Sequence, residues 1–271
     1  MKPLARSREI LNLLNERQQL TVEDACKIFK ISEATVRRDF VTLAEEGKAE
    51  KTWGGLRILD SGAQPMLPSG LREGLYLEEK RRIASHAADF CSDGDIVFID
   101  GGTTTLQMAR WLASRPLRVV TNSLLVAHEI DRLRSGPQGA EVFLTGGYLY
   151  PRSGLLVGPE SIDSLHRHHA TTAFLSVGGV NEEGIFNNHH LVVEVERVMI
   201  ARSARVVLLA DHSKFNRQEL VRECAWEEID FLVTDAQPEE NYRRLLDRRL
   251  VVADGEHPTF PRPSRTLSTT G

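Results

Sequence analysis

The chain has 271 residues, 41% of them apolar and 27% charged, with a formal net charge of −4. At ~100–200 residues per domain this is one large domain or two smaller ones with apolar material enough for a core, so wholesale disorder is excluded. The longest apolar runs, such as Val206 to Ala210, are about a quarter of the ~20 residues of a membrane helix, and no leader is readable behind Met1, so a cytoplasmic protein without a membrane partner is expected.

Residues 1–59 hold 11 Lys or Arg against 9 Asp or Glu, a net of +2, which leaves −6 for the remainder. So weak a bias does not by itself indicate nucleic acid, and the local pattern has to decide. Ile10, Leu11, Leu13 and Leu14 recur at helical spacing. Thr21, with Asp24 three residues on, is an N-cap for a helix whose face is Val22, Ala25, Cys26 and Phe29. Ser32 caps the next helix, in which Val36, Phe40 and Leu43 follow at i, i+4 and i+7 and which Gly47 stops. Lys48 to Leu59, with Trp53, Gly54 and Gly55 inside it, reads as a tight β-hairpin.

The two helices around Lys30 and Ile31 have the spacing of a helix-turn-helix. On the second, Ala34, Arg38 and Thr42 lie opposite the buried stripe, flanked by Thr35 and Arg37. Small, hydroxylated and guanidinium groups near a helix start suit a major groove of double-stranded DNA. Ser32, Thr35 and the first-turn amides suit phosphate. Lys51, with Arg57 behind it, sits on the hairpin, where a wing reaches the DNA backbone or minor groove. A small helical domain with a solvated Arg pair has the same spacing. Glu33, Asp39, Glu45 and Glu46 oppose a purely electrostatic footprint unless they face away from the duplex.

Residues 60–78, broken by Ser61, Gly62, Pro65, Pro68, Ser69 and Gly70, read as a linker. From 79 to about 260 the pattern alternates. Ile96 to Asp100, Val119 to Thr121, Val142 to Thr145, Ala173 to Val177, Val206 to Ala210, Phe231 to Thr234 and Leu250 to Ala253 are short apolar runs. Helical stretches such as Arg81 to Phe90, Leu106 to Leu112, Leu124 to Leu133 and Glu194 to Ser203 separate them. This is the βαβ rhythm of a Rossmann-like α/β domain with a mostly parallel sheet covered on both faces. Residues 261–271 are rich in Pro, Ser and Thr and read as a disordered tail.

Several of these strands end in small polar residues: Asp100, Gly101, Gly102, Thr103, Thr104 and Thr105; Thr121, Asn122 and Ser123; Thr145, Gly146 and Gly147; Gly178 and Gly179; Asp211, His212, Ser213 and Lys214. The carboxyl ends of an open α/β sheet converge on one crevice. Amides, hydroxyls, one or two carboxylates and an ammonium lining it suit a polyhydroxylated anion. In D-G-G-T-T-T the two glycines admit an anion close to the backbone, and the hydroxyls with the helix start near Leu106 add donors. The same glycines also serve a tight βα corner. Lys214 neutralises an anion or pairs with Asp211 on the surface.

The wording is more specific than the spacing. R-x-x-x-I-L-x-L-L (Arg6 to Leu14), T-V-E-D-A (Thr21 to Ala25), I-S-E-A-T-V-R-R-D-F (Ile31 to Phe40), L-x-E-E-G (Leu43 to Gly47) and W-G-G (Trp53 to Gly55) resemble the DeoR family of bacterial transcriptional regulators. So do E-K-R-R-I-A-x-x-A-A (Glu79 to Ala88), D-G-D-I-V-F-I-D-G-G-T-T-T (Asp93 to Thr105), V-V-T-N-S (Val119 to Ser123), L-T-G-G (Leu144 to Gly147), L-V-G-P (Leu156 to Pro159) and A-D-H-S-K-F (Ala210 to Phe215). The resemblance implies a winged helix-turn-helix that reads DNA through Thr35, Arg37 and Arg38 and through a wing around Lys51. It implies a sensor sheet related to ribose-5-phosphate isomerase and glucosamine-6-phosphate deaminase, with Asp100, Gly102 to Thr105, Asn122, Gly147 and Lys214 touching a phosphorylated sugar or related metabolite. Phe186 stands where the family commonly has Thr, which marks Asn187, Asn188, His189 and His190 as subfamily specificity determinants or as a polar surface loop.

The resulting expectation is a repressor, a homo-oligomer (dimer or tetramer) on operator DNA, released by a phosphorylated sugar or sugar acid and needing no cofactor. The rival is a sugar-phosphate isomerase-like enzyme, with Asp100, Asp211 and Glu194 as acid and base groups. No metal is expected. His166, His168, His169, His189 and His190 lack ligand spacing, and the three widely spaced cysteines, Cys26, Cys91 and Cys224, suit neither a zinc ribbon nor a disulfide framework.

Overall fold

The computed structural model of the chain describes residues 3–17, 19–46, 48–52, 54–57, 74–136, 138–255 and 260. Trp53, the helix stop at Gly47, most of the expected linker and the expected tail lie outside the described residues. The chain divides into two compact units, Met1–Tyr76 and Leu77–Gly271.

The first unit runs α1 (Pro3–Arg17), β1 (Gln19–Thr21), α2 (Val22–Phe29), α3 (Glu33–Glu45), β2 (Glu50–Thr52) and β3 (Gly55–Arg57). Its caps follow the sequence. Thr21 Oγ1 accepts from the Asp24 amide (3.0 Å), and the Ser32 hydroxyl accepts from the Thr35 amide (3.4 Å). The turn between α2 and α3 passes through Lys30 in the left-handed region (φ 52°), which reverses the chain sharply enough to cross the helices. Ile10, Leu14, Leu20, Val22, Ala25, Val36, Phe40, Leu43, Ala49 and Leu56 form one core. The expected hairpin is present, and β1 joins it to give an antiparallel sheet in the order β1-β3-β2. A Cβ on Gly55 would lie 2.2 Å from the Leu20 carbonyl oxygen, so this crossing of strands requires glycine.

The second unit is built on seven strands: β4 (Ile96–Ile99), β5 (Arg118–Thr121), β6 (Glu141–Leu144), β9 (Thr172–Ser176), β12 (Val206–Leu209), β14 (Phe231–Thr234) and β15 (Leu250–Val252). They form one parallel sheet in the order β15-β14-β12-β9-β4-β5-β6. Each of the seven apolar runs read from the sequence is one of these strands. One face packs against α4 (Leu77–Ala88), a short helical turn at Thr105–Met108 leading into α5 (Ala109–Leu112), and α6 (Leu124–Leu133). The side chains meeting there include Ile83, Met108, Leu112, Val126 and Ile130 against Val97, Ile99, Val119 and Val207.

Apart from the helix read at Glu194 to Ser203, the remaining elements were not legible as separate strands and helices. A hairpin, β7 (Tyr148–Tyr150) with β8 (Leu155–Val157), follows the β6 loop. A small antiparallel sheet joins β10 (Gly179–Asn181), β11 (Gly184–Asn187) and β13 (Val221–Cys224). Further helices are α7 (Pro159–His166), α8 (His190–Ala201) and α9 (Glu240–Leu246). Residues 190–193, expected outside the helix at Glu194 to Ser203, form its first turn, capped by His189.

Candidate functional site

In the first unit α3 carries Ser32, Arg37, Arg38 and Thr42 exposed and Thr35 half-exposed, opposite buried Val36, Phe40 and Leu43. Three of the four acids that weigh against a DNA surface are engaged elsewhere. Asp39 forms a two-point ion pair with Arg6 of α1 (2.5 and 3.0 Å). Glu33 accepts from Arg37 (2.5 and 2.8 Å), and Glu46 pairs with Lys48 (2.6 Å). Arg38 and Lys51 are exposed, and among the described residues their cationic groups have no hydrogen bond or ion pair. Arg57 is bound to Glu50 across the hairpin (2.9 Å), and the Thr42 hydroxyl donates to the Arg38 carbonyl (3.1 Å). The first-turn hydroxyls of Ser32 and Thr35 stand 2.9 Å apart.

In the second unit β12, β9, β4, β5 and β6 are neighbours and parallel, so the loops that follow them leave one edge of the sheet. After β4, the Asp100 carboxylate accepts from the Ser176 amide (3.3 Å) and hydroxyl (2.8 Å) of β9. A Cβ on Gly102 would lie 1.8 Å from that same Ser176 hydroxyl oxygen, and one on Gly101 would lie 1.8 Å from Leu155 Cδ2. The two glycines are therefore required by packing as well as by backbone access.

Not every hydroxyl read from the sequence faces a ligand. Thr105 donates to the Asp100 carbonyl (2.7 Å) and accepts from the Gly102 amide (2.8 Å). Thr121 donates to the Ile99 carbonyl (2.6 Å), and Ser123 caps α6 through the Val126 amide (3.2 Å). These three brace the frame. Thr103 and Thr104 are buried, and among the described residues their hydroxyls have no hydrogen-bond partner.

Asn122 is fully buried, and neither its Nδ2 nor its Oδ1 has a hydrogen-bond partner. Asp211 is also fully buried; its Oδ1 accepts from Ser213, while its Oδ2 has no partner. Buried polar groups are normally paired, because each orphan forfeits its hydration without return. Gly146 and Gly147 turn the loop after β6 with positive φ (76° and 116°). Lys214 is half-buried at the end of the short turn His212–Lys214. His212, which the sequence placed in this loop without a role, is hydrogen-bonded to Asp235 (2.7 Å), and this bond holds its imidazole basicity above the ordinary value.

His189 caps α8, its Nδ1 accepting from the Leu191 amide (3.2 Å) between the rings of Tyr150 and His190. Burial, and then His190, push its basicity down. Glu194 is exposed on α8. The buried acid of that helix is Glu196, which accepts from the Asn187 amide (2.8 and 3.1 Å). It falls within the apolar stripe of Val192, Val193 and Met199 at i−4, i−3 and i+3, and that was the available signal. Glu223 of β13 is buried as well and had no such signal.

Among the described residues no three His, Cys, Asp or Glu are placed to hold a metal ion. A cavity of about 340 Å³ lies at the other edge of the sheet, lined by Gly94, Leu117, Arg118 and Glu141. Its charges are an exposed Arg118–Glu141 pair (3.3 Å), and none of the buried unpaired polar atoms opens there.

A DeoR-like helix-turn-helix domain model matches residues 6–62, and a DeoR C-terminal sensor domain model matches residues 76–236. The chain is 34% identical over 239 residues to the HTH-type transcriptional repressor GlcR of Bacillus subtilis, covering 88% of this chain and 91% of that protein. It is 30% identical over 250 residues to the glycerol-3-phosphate regulon repressor of Escherichia coli, covering 91% and 96%. Among solved structures, ribose 5-phosphate isomerase A of Methanocaldococcus jannaschii aligns at a TM-score of 0.37 and 15% identity, over 52% of this chain and 55% of that enzyme.

Proposed function

This chain belongs to the DeoR family of DNA-binding transcriptional regulators, and on that premise we propose that it is a repressor whose operator affinity is set by a phosphorylated sugar or sugar acid bound at the carboxyl edge of the parallel sheet. The observation that carries the reading is the set of buried, unpaired polar atoms at that edge, Asn122 foremost, among loops that also supply Asp211, His212 and Lys214. The phosphate or carboxylate lies against the Gly102–Thr104 turn and Lys214, and the ligand hydroxyls meet Asn122 and Asp211. Gly146, Gly147 and His189 border the site.

Sensor units pair so that two heads meet two operator half-sites. The effector binds the low-affinity state more tightly, since equal binding to both states shifts nothing. A thermal-shift screen of phosphorylated sugars and sugar acids, with hits assayed for operator release, tests this. Hits without release, or release without binding, contradict it. The site holds its ligand without converting it in this reading, and turnover of the same hits would favour an isomerase-like enzyme instead.

Lys214→Ala is expected to leave operator binding intact and weaken the effector response about tenfold, the loss of one charge-assisted contact of ~1.4 kcal/mol. Undiminished release by the hit removes Lys214 from the site. Arg38→Ala is expected to weaken specific operator binding by ~1–3 kcal/mol, because an unpaired guanidinium on the outer face of α3 is free for two-point contact with a guanine edge. Its thermal midpoint is expected to stay at the parent value, and unchanged operator affinity would assign base reading to other residues.

A further inference from the structure

We propose that two copies of the sensor unit pair through β6, its unguarded edge strand, antiparallel across a two-fold axis at Phe143, so that the two sheets continue into one another. The inference rests on the pairing of sensor units in the reading above and assigns the surface that makes it.

β6 is the last strand of the parallel sheet and pairs only with β5. The amides of Glu141 and Thr145 donate to the Leu117 and Thr121 carbonyls (2.8 and 3.0 Å). Backbone groups alternate in direction along a strand, so Val142 and Leu144 between them turn theirs outward. Among the described residues no hydrogen bond reaches the amide or carbonyl of either.

Folded proteins blunt such an edge with Lys, Pro, a bulge or a covering segment. Among the described residues β6 has none of these. It pairs with β5 without a register shift, and from Val142 to Pro151 the chain carries no charged residue. The strand's one charge, Glu141, is bound to Arg118 (3.3 Å).

The edge is apolar on both faces. Phe143 and Leu144 are successive residues of a strand and so point to opposite faces; they are 44% and 41% exposed. Beyond the turn at Gly146 and Gly147, Tyr148 and Leu149 of β7 are 56% and 49% exposed. Two copies meeting there bury on the order of 600 Å² from these side chains alone, a substantial part of the ~1,200–2,000 Å² of a specific interface. The strand backbones and their flanks add to it.

The occupant of such an edge is a strand with matching outward groups, and β6 of a second copy is one. With the two Phe143 opposite each other on the axis, Val142 faces the partner's Leu144 as a hydrogen-bonded pair, and the same pair recurs on the other side of the axis. Every outward group of Val142 and Leu144 is then used. The two Phe143 rings meet on one face, and each Leu144 covers the partner's Val142 on the other. No like charges meet, because Glu141 falls opposite the partner's Thr145. The chain's own C-terminal stretch starts elsewhere: Phe260 is stacked on Phe90 (3.5 Å) and set edge-on to Phe231 of β14, five strands from β6.

The full chain is sedimented at micromolar concentration without DNA or effector, and is expected to run as a dimer or a larger even-numbered assembly. Phe143→Lys sets two ammonium groups against each other on the axis and is expected to weaken self-association about hundredfold and to halve the mass. Phe143→Cys is expected to form an intermolecular disulfide on mild oxidation, since the Cα atoms of a non-hydrogen-bonded antiparallel pair lie ~4.5 Å apart, within disulfide reach. Leu149→Cys, away from the axis, is expected to stay uncross-linked. An unchanged mass for Phe143→Lys, or cross-linking of Phe143→Cys no better than that of Leu149→Cys, overturns the β6 surface and leaves the pairing of sensor units standing. A monomeric parent overturns both.

Discussion

Asp39→Ala is expected to destabilise the N-terminal unit by about 3 kcal/mol, more than any change on the exposed face of α3. Asp39 stands next to Arg38 in the chain but serves a different end. Its carboxylate holds Arg6 of α1 at two points, with Arg6 and Asp39 side chains only 9% and 12% exposed. Removing it takes from a nearly buried guanidinium the carboxylate that holds it at two points, and the weaker compensation of that charge, rather than the intrinsic strength of the pair, sets the loss. Urea unfolding of the full chain, followed by circular dichroism, is expected to show the N-terminal transition at lower denaturant with the sensor transition unmoved. An N-terminal transition at the parent midpoint would mean that α1 and α3 are held by their apolar contacts alone. Arg38→Ala is the control: it loses operator affinity and keeps both transitions.

Glu223→Gln is expected to stabilise the sensor unit at pH 8 by on the order of 2–4 kcal/mol and to flatten its dependence on pH. Burial, then the charge of Asp100, raises this carboxyl from an ordinary 4.5 to about 8 in the folded chain. Between those values the folded protein holds a proton that the unfolded chain has given up. The stabilisation is therefore complete below about pH 4.5, falls as pH rises and is gone above about 8. Glutamine keeps the shape and neutrality of the protonated acid at every pH. Unfolding midpoints of the parent and the variant, taken from pH 5 to 8.5, are expected to diverge upward. Parallel curves would mean that Glu223 is solvated and ionised in the folded protein.

The five inner strands of the parallel sheet were legible because they are buried on both faces and so read as unbroken apolar runs bounded by turn residues, while the edge strands β6 and β15, exposed and half-buried, were read from their apolar residues alone. The antiparallel pieces were not. β7 and β8 are three residues each, and β7 exposes Tyr148 and Leu149, so neither length nor alternation separates them from loop. In the candidate site, composition picked out the loops at the carboxyl edge of the sheet but not the use of each hydroxyl. Thr103, Thr104, Thr105, Thr121 and Ser123 are alike as letters, yet three of them brace the backbone and two do not. Glu194 and Glu196 differ by two positions, about 200° on a helix, which is the difference between solvent and interior. Glu223 depends on a register slip that only the pairing of β11 with β13 reveals.

The order of strands also sets an order of events. The winged head closes through short-range contacts within its first 57 residues. The centre of the sensor sheet pairs β4 with β9, where Val97 meets Thr172, a closure spanning 75 residues that joins the two halves of the sheet. Low contact order folds faster, and translation delivers the N-terminus first. Each newly made molecule is thus expected to pass through an interval in which its N-terminal unit is folded and its sensor unit is not.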